Sequence, residues 1–305
     1  MITKIEFNNI TWVDVSEPTE TDFAVIKEDY KLQPLIASEF LLTLKRPKIE
    51  KHKSQLWLVL HFPRYDGSKR TTEPAELDFI VTDHTLITVH SKSLLPLEVF
   101  IKDCQVQNKI KEETFKNFGV LQFHLIDILI NASLPMLDHI HDDIDIAEEK
   151  VFCGQGKEML QEIAIIKRNI INFRRTIKPQ KGILEALVKT SEQFFSGAKL
   201  EILANDLISS NIRVWNILEN HKERIEAIER TNGSLLTYRT NEIIKTLTFI
   251  SGIAFPLTVF IGFFAMDVFG AYDFTQNPLS PVIIGGIIIA FICSMILYFR
   301  SKKWF

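Results

Sequence analysis

Residues 241–267 read NEIIKTLTFISGIAFPLTVFIGFFAMD, and this stretch decides the fold. From 246 to 266 it carries no charged side chain for 21 residues, enough to cross a hydrocarbon core of about 30 Å as a helix. It is not uniformly apolar. Asn241, Ile244, Thr248, Ser251, Phe255, Thr258, Gly262 and Ala265 recur at helical spacing, so one stripe is small or mildly polar. Lipid tails give a hydroxyl nothing to bond, so the stripe points to other helices or to water. Asp267 follows at the membrane boundary. Residue types alone leave open a hairpin anchor whose small residues merely pack.

A second charge-free run of 19 residues, 281–299, is followed at once by Arg300, Lys302 and Lys303. The loop between the runs, 268–280, holds no Lys or Arg. Cytoplasmic flanks collect basic residues, so both termini are expected inside and the loop outside. Gly286, Ala290 and Ser294 stand four apart, a spacing that lets helices approach closely, and predict that the second span packs on the first.

Upstream of the spans, Leu200, Leu207, Val214, His221, Ile228 and Leu235 are spaced by seven, with Ala204, Leu218 and Ile225 alongside. That spacing keeps one seam facing a partner helix. No proline interrupts 198–255, so an unbroken helix over 198–267 would be about 105 Å long at 1.5 Å per residue. A helix of that length needs partners.

Further upstream, 118–151 alternates apolar positions with Asp138, Asp142, Asp143, Asp145, Glu148 and Glu149, and Pro135 kinks this helix or begins a new one. The next segment, 156–177, carries Lys167, Arg168, Arg174 and Arg175, and Pro179 stops it. An acidic helix before a basic one predicts an antiparallel hairpin with complementary faces, each pair worth under about 1 kcal/mol. The whole stretch 93–196 reads as three helices. His139 and His141, two apart, cannot share a face, but His139 could meet Asp142 or Asp143 on one ion.

Residues 1–100 read as mixed α/β, with β-prone runs at 5–7, 55–62, 77–81 and 86–89. Helices are expected after Pro18 and over 35–44, and Asp66-Gly67 marks a turn between strands. His61, His84 and His90 lack carboxylates or thiols at ligand spacing and read as ordinary core or surface histidines.

Composition excludes several classes. A net charge of -3 gives no footprint for nucleic acid. Cys104, Cys153 and Cys293 are too scattered for a disulfide framework or thiolate site. No nucleotide loop, nucleophile triad or supported carboxylate pair suggests an enzyme.

NEIIKTLT at 241–248, FPLT at 255–258, FAMD at 264–267 and the terminal KKWF together resemble the CorA family of divalent cation transporters. TWVDVSEPTETDF at 11–23, RPKIEKHKSQLWLVLHFP at 46–63 and DFIVTDHTLITVH at 78–90 resemble the cytoplasmic domain of that family. One signature departs. The family carries Gly-Met-Asn at the outer pore mouth, or Gly-Ile-Asn in a zinc-transporting branch, where this chain has Ala265, Met266 and Asp267.

The resemblance implies an α+β multi-domain membrane protein. It would comprise a cytoplasmic α/β domain over 1–100, a helical part over 101–196, a stalk helix over 197–246 and a two-span transmembrane domain over 247–305. The spans would run 247–267 and 281–299, in a homopentameric funnel within the inner or plasma membrane. The implied pore line is Asn241, Ile244, Leu247, Phe255, Thr258 and Asp267: oxygens from Asn241 and Thr258, a dewetting gate from Ile244, Leu247 and Phe255. Asp206 matches an acidic residue that helps bind a regulatory ion, whereas a second acidic position of the family is Arg230 here. Lys302 and Lys303 match a basic collar. No cofactor is implied, and a divalent cation, Mg2+ first, is substrate and regulator; partners are other copies, lipid and the ion. The alternatives are a pore for Zn2+, Ni2+, Co2+ or a monovalent cation, and a non-transporting scaffold or sensor.

Overall fold

In the computed structural model the residues described are 1–39, 45–52, 54–82, 85–194, 198–265 and 280–301. They form two compact units, Met1–Arg230 and Thr231–Phe305.

The first unit is built on a six-stranded sheet of order β1-β2-β6-β5-β4-β3. The strands are β1 (Ile2–Phe7), β2 (Ile10–Ser16), β3 (Lys48–His52), β4 (Gln55–Asp66), β5 (Thr71–Val81) and β6 (Thr85–His90). All neighbours are antiparallel except β2 and β6. Asn8 and Asn9 both take positive φ, 47° and 61°, which a two-residue hairpin turn needs to match strand twist. At the β4–β5 hairpin the Asp66 carboxylate accepts from the backbone N–H groups of Ser68 and Lys69, closing the expected turn.

β6 is buried at every position and β4 at most of them, because helices cover both faces. On one face α1 (Glu20–Asp29) and α2 (Pro34–Glu39) bring Ile26 and Ile36 onto Val13, Val15, Trp57, Val59, Ile80, Ile87 and Val89. The helix expected over 35–44 is therefore seen as α2 up to Glu39, and 40–44 lie outside the described residues. On the other face Trp12 packs against Phe100 and Phe115, with ring centroids 5.6 and 6.5 Å away.

The described residues within 93–196 form six helices rather than three: α3 (Leu95–Val106), α4 (Asn108–Thr114), α5 (Phe118–Asn131), α6 (Ser133–Phe152), α7 (Gly156–Ile177) and α8 (Gln180–Phe194). Local chemistry makes the breaks. Asn117 caps α5 by accepting from the Val120 N–H, Pro135 sits in the first turn of α6, and Gly154 at φ 93° turns the chain into α7. Residues 118–152 are long and apolar enough to cross a membrane, but half of their most apolar stretch of 18 residues is buried in the unit, so it is core.

A polar chain sits under this second face. Trp12 Nε1 donates to Thr88 Oγ1 at 3.0 Å, and Thr88 Oγ1 donates to Asp14 Oδ1 at 2.6 Å. His90 lies with Nε2 3.3 Å from Asp14 Oδ2 and Nδ1 2.7 Å from the Lys92 carbonyl oxygen. Both ring nitrogens face acceptors, so the ring is held as imidazolium. Burial opposes that charge, but the Asp14 carboxylate and the Lys92 carbonyl outweigh it and raise the His90 pKa. Because the folded value is raised, the stabilisation is complete below the unfolded value of about 6.5 and is lost as pH rises through the folded one. His90→Leu strands the buried Asp14 carboxylate and should cost roughly 3–5 kcal/mol. Unfolding midpoints across pH 6 to 9 check both points: the wild type should lose stability with rising pH, and the variant should lose this component.

The second unit consists of the continuation of α9 (Ala198–Ala265) and α10 (Ser280–Ser301). α9 carries Pro256 in its interior without ending there, which leaves the Gly252 carbonyl without its helical donor. A β-carbon at Gly252 would stand 3.3 Å from Phe299 Cζ and 3.5 Å from Met295 Cε. Glycine thus sets the close approach, and Phe249 meets Phe299 edge-on at 5.3 Å. The stripe expected to do this, Gly286, Ala290 and Ser294, is exposed, with open space beyond Gly286. Spacing identified a stripe able to pack closely, but the small residue at this contact comes from the other helix.

Candidate cation pathway

The first half of α9 is clamped by its own chain. Leu200, Leu207, Val214, His221 and Ile228 are buried, as are Ala204, Leu218 and Ile225. Asn211 Nδ2 donates to Gln180 Oε1 at 2.6 Å, Arg174 lies over the Trp215 ring and bonds Glu219, and Lys167 reaches Glu229 at 2.6 Å. Arg224 Nη2 donates to Asp145 and Glu148 on α6, each at 2.7 Å. This corrects two expectations. The heptad seam closes within one chain through Ile228, because seven-residue spacing says that a side is covered and not by which chain. The acidic α6 and basic α7 do pack together, but these charges reach α9 rather than each other. Arg224, the hub of the α6 contacts, carried no signal in the sequence beyond an ordinary charge on a helix.

His139, Asp142 and Asp143 are all exposed. Among the described residues no three His, Cys, Asp or Glu side chains gather to hold a metal ion. Asp206 is exposed on α9, and it adds to the burial that raises the pKa of Asp127 on α5, a neighbour the sequence did not suggest. Arg230 is also exposed on α9. His61 is half-buried with Nε2 3.6 Å from Glu76, His90 is buried in the polar chain above, and His84 lies outside the described residues.

Beyond Arg230 the character of α9 changes. Asn241, Ile244, Leu247, Phe255 and Thr258 are all exposed, with Ile244 at 53%, Leu247 at 61% and Phe255 at 73%. Helical periodicity sets Ile244, Leu247 and Thr258 on a different side from Phe249 and Gly252, which face α10. The hydroxyls of Thr248 and Thr258 donate to the carbonyls of Ile244 and Ala254 at 2.7 and 2.8 Å. Their hydrogens are thereby used inside the helix, and the oxygen lone pairs are what each threonine can offer outward. A cavity of about 520 Å³ lies between Phe255, Pro256, Leu257, Val259, Phe260, Ile287, Ile288 and Phe291. No side chain in it can ligate an ion, so it is no part of a polar route.

Ala265 ends α9, while Met266, Asp267, the loop 268–280, Lys302 and Lys303 lie outside the described residues.

A mixed α/β domain, a long helix that continues into an apolar span, and a second apolar helix define a membrane protein. The profile of the family described as CorA-like Mg2+ transporter protein matches residues 7–303. The chain belongs to that family, whose members are transporters and not enzymes. It is 26% identical over 304 residues to the cobalt/magnesium transport protein CorA of Thermotoga maritima, covering 96% of this chain and 83% of that one. The solved CorA magnesium transporter of Methanocaldococcus jannaschii superimposes with TM-score 0.84 at 17% identity, over 99% of this chain and 94% of that one. Full-length CmaX superimposes with TM-score 0.74 at 18% identity, over 97% and 89%. The fold is therefore that of CorA.

Proposed function

We propose that this protein moves divalent cations, Mg2+ first among them, through a five-fold pore lined by the membrane part of α9. The observation that carries this reading is the exposed file Asn241, Ile244, Leu247, Phe255 and Thr258, in which Ile244, Leu247 and Thr258 point away from the side of Phe249 and Gly252. Ile244 and Leu247, large, apolar and more than half exposed in their own chain, need lipid or other copies, and a shared axis would give this file one another as neighbours. In that arrangement Asn241 and Thr258 offer oxygens to a hydrated ion, and Ile244, Leu247 and Phe255 narrow into an apolar ring that empties of water when closed. Asp267 would ring the outer mouth and Lys302 and Lys303 the cytoplasmic collar. Asp206 would help bind a regulatory ion between copies. No resident cofactor is needed, because the charge that moves is the ion's own.

The soluble unit and both termini would face the cytoplasm of a cell bounded by this inner or plasma membrane, with 268–280 outside. The units of function would be a cytoplasmic α/β domain over 1–100, helices over 101–196, a stalk over 197–246 and spans within 247–305. Native mass spectrometry in mild detergent should give five chains. A stable monomer or dimer would contradict the shared axis.

A further inference from the structure

The contact between α6 and α9 contains a pair of histidines that the transport reading does not use. His141 of α6 and His221 of α9 stack with ring centroids 5.6 Å apart and planes 29° from parallel. Arg224 Nη1 lies 3.2 Å from His141 Nδ1. A guanidinium can only donate, so Nδ1 is the acceptor in this contact. The remaining ring proton then sits on Nε2, 3.4 Å from Asp145 Oδ2. His221 is 5% exposed, and its Nδ1 meets no hydrogen-bond partner.

We propose that His221, stacked on His141, forms a proton-operated latch that holds α9 against α6 while its ring is neutral and releases it when the medium around this unit acidifies. A proton added at His221 would bury a charge beside Arg224 and against its stacked partner. The groups around the pair are Asp138, Asp145 and Glu148 from α6 and Arg224 from α9. The α7 cations that reach α9, Lys167 and Arg174, are paired with Glu229 and Glu219. Burial first, then His141 and Arg224, push His221 down to about 4, against the pull of Asp138 and Asp145. A depressed histidine favours the packed state fully above the free value of about 6.5 and progressively less as pH falls from there. Each pH unit in that window shifts the equilibrium toward release by up to about tenfold. The coupling has consequence because α9 is the helix that continues as the first apolar span.

Amide hydrogen exchange of the full chain in detergent, corrected for intrinsic rate, tests this at pH 7.5 and 5.5. Opening of 133–152 and 215–230 should rise on the order of tenfold at the lower pH. The variants are His141→Asn, whose amide oxygen can replace the acceptor for Arg224, and His221→Phe, which keeps a ring in the buried stack. Together they should abolish most of that rise. An equal rise in the double variant, or none in the wild type, overturns the latch. NMR titration of labelled histidine in the wild type needs no stable double variant. The ring signal missing from His221→Phe should stay neutral at pH 5.5, and an ordinary titration near 6.5 would overturn the proposal.

Discussion

Leu247→Asn should raise resting cation leak through reconstituted protein by roughly tenfold or more. A ring of leucines around a narrow axis is a poor surface for water, and a closed gate of this kind holds back ions by being dry. Five amides at the same height would hold water there and lower the barrier for a hydrated ion. Only about 1.4 kcal/mol off that barrier is needed for a tenfold change. Leu247 is 61% exposed within its chain, so the substitution removes no packing from the chain's own core, and the fold should survive. Flux measured in liposomes at zero membrane potential, with assembly checked in parallel, reads the effect. Unchanged leak through an intact pentamer would mean that Leu247 is not the gate.

Asp267→Asn should weaken divalent binding at the outer mouth by at least about tenfold. The family carries a neutral asparagine there, whereas five aspartates would converge on one axis in this chain. Carboxylates so arranged repel one another, and a divalent ion relieves that repulsion. One charge pair at 4 Å is worth about 1 kcal/mol even in water, and several act on one ion here. Tighter entry has a cost in release, because a conducting site must also let its ion go. The variant should therefore combine weaker binding with faster maximal flux. Titration of flux against external Mg2+ gives both quantities. Identical affinity in wild type and variant would place Asp267 away from the axis.

Much of this architecture was legible because hydrophobic pattern and charge placement report burial directly. The two apolar runs predict α9 and α10, and Pro179 marks the end of α7 as expected. The strands were harder. β2 and β3 were not read from residue pattern, whereas β6 was expected at 86–89 although burial on both faces leaves it without the polar alternation of a half-exposed strand. The Asn8-Asn9 turn that pairs β1 with β2 was the available clue, since consecutive asparagines tolerate positive φ.

Contacts between distant segments were the least legible. The seam Leu200, Leu207, Val214, His221 and Ile228 announces a covered helix face, yet periodicity cannot say whose helix covers it. Gly252 and Arg224 matter through Phe299 and Asp145, partners 47 and 79 residues away, and spacing holds no record of such pairs. The pore file was legible as a stripe of helical spacing, and its roles came from the family resemblance.

The central claim is that this chain conducts Mg2+ down its electrochemical gradient. Purified protein in liposomes loaded with a Mg2+-sensitive dye, with an inward gradient and an inside-negative potential, tests it most directly. The account predicts saturable Mg2+ entry that grows with the potential and is altered by Leu247→Asn. Entry no faster than in protein-free liposomes, at either orientation of the gradient and with pentamers present, would contradict it.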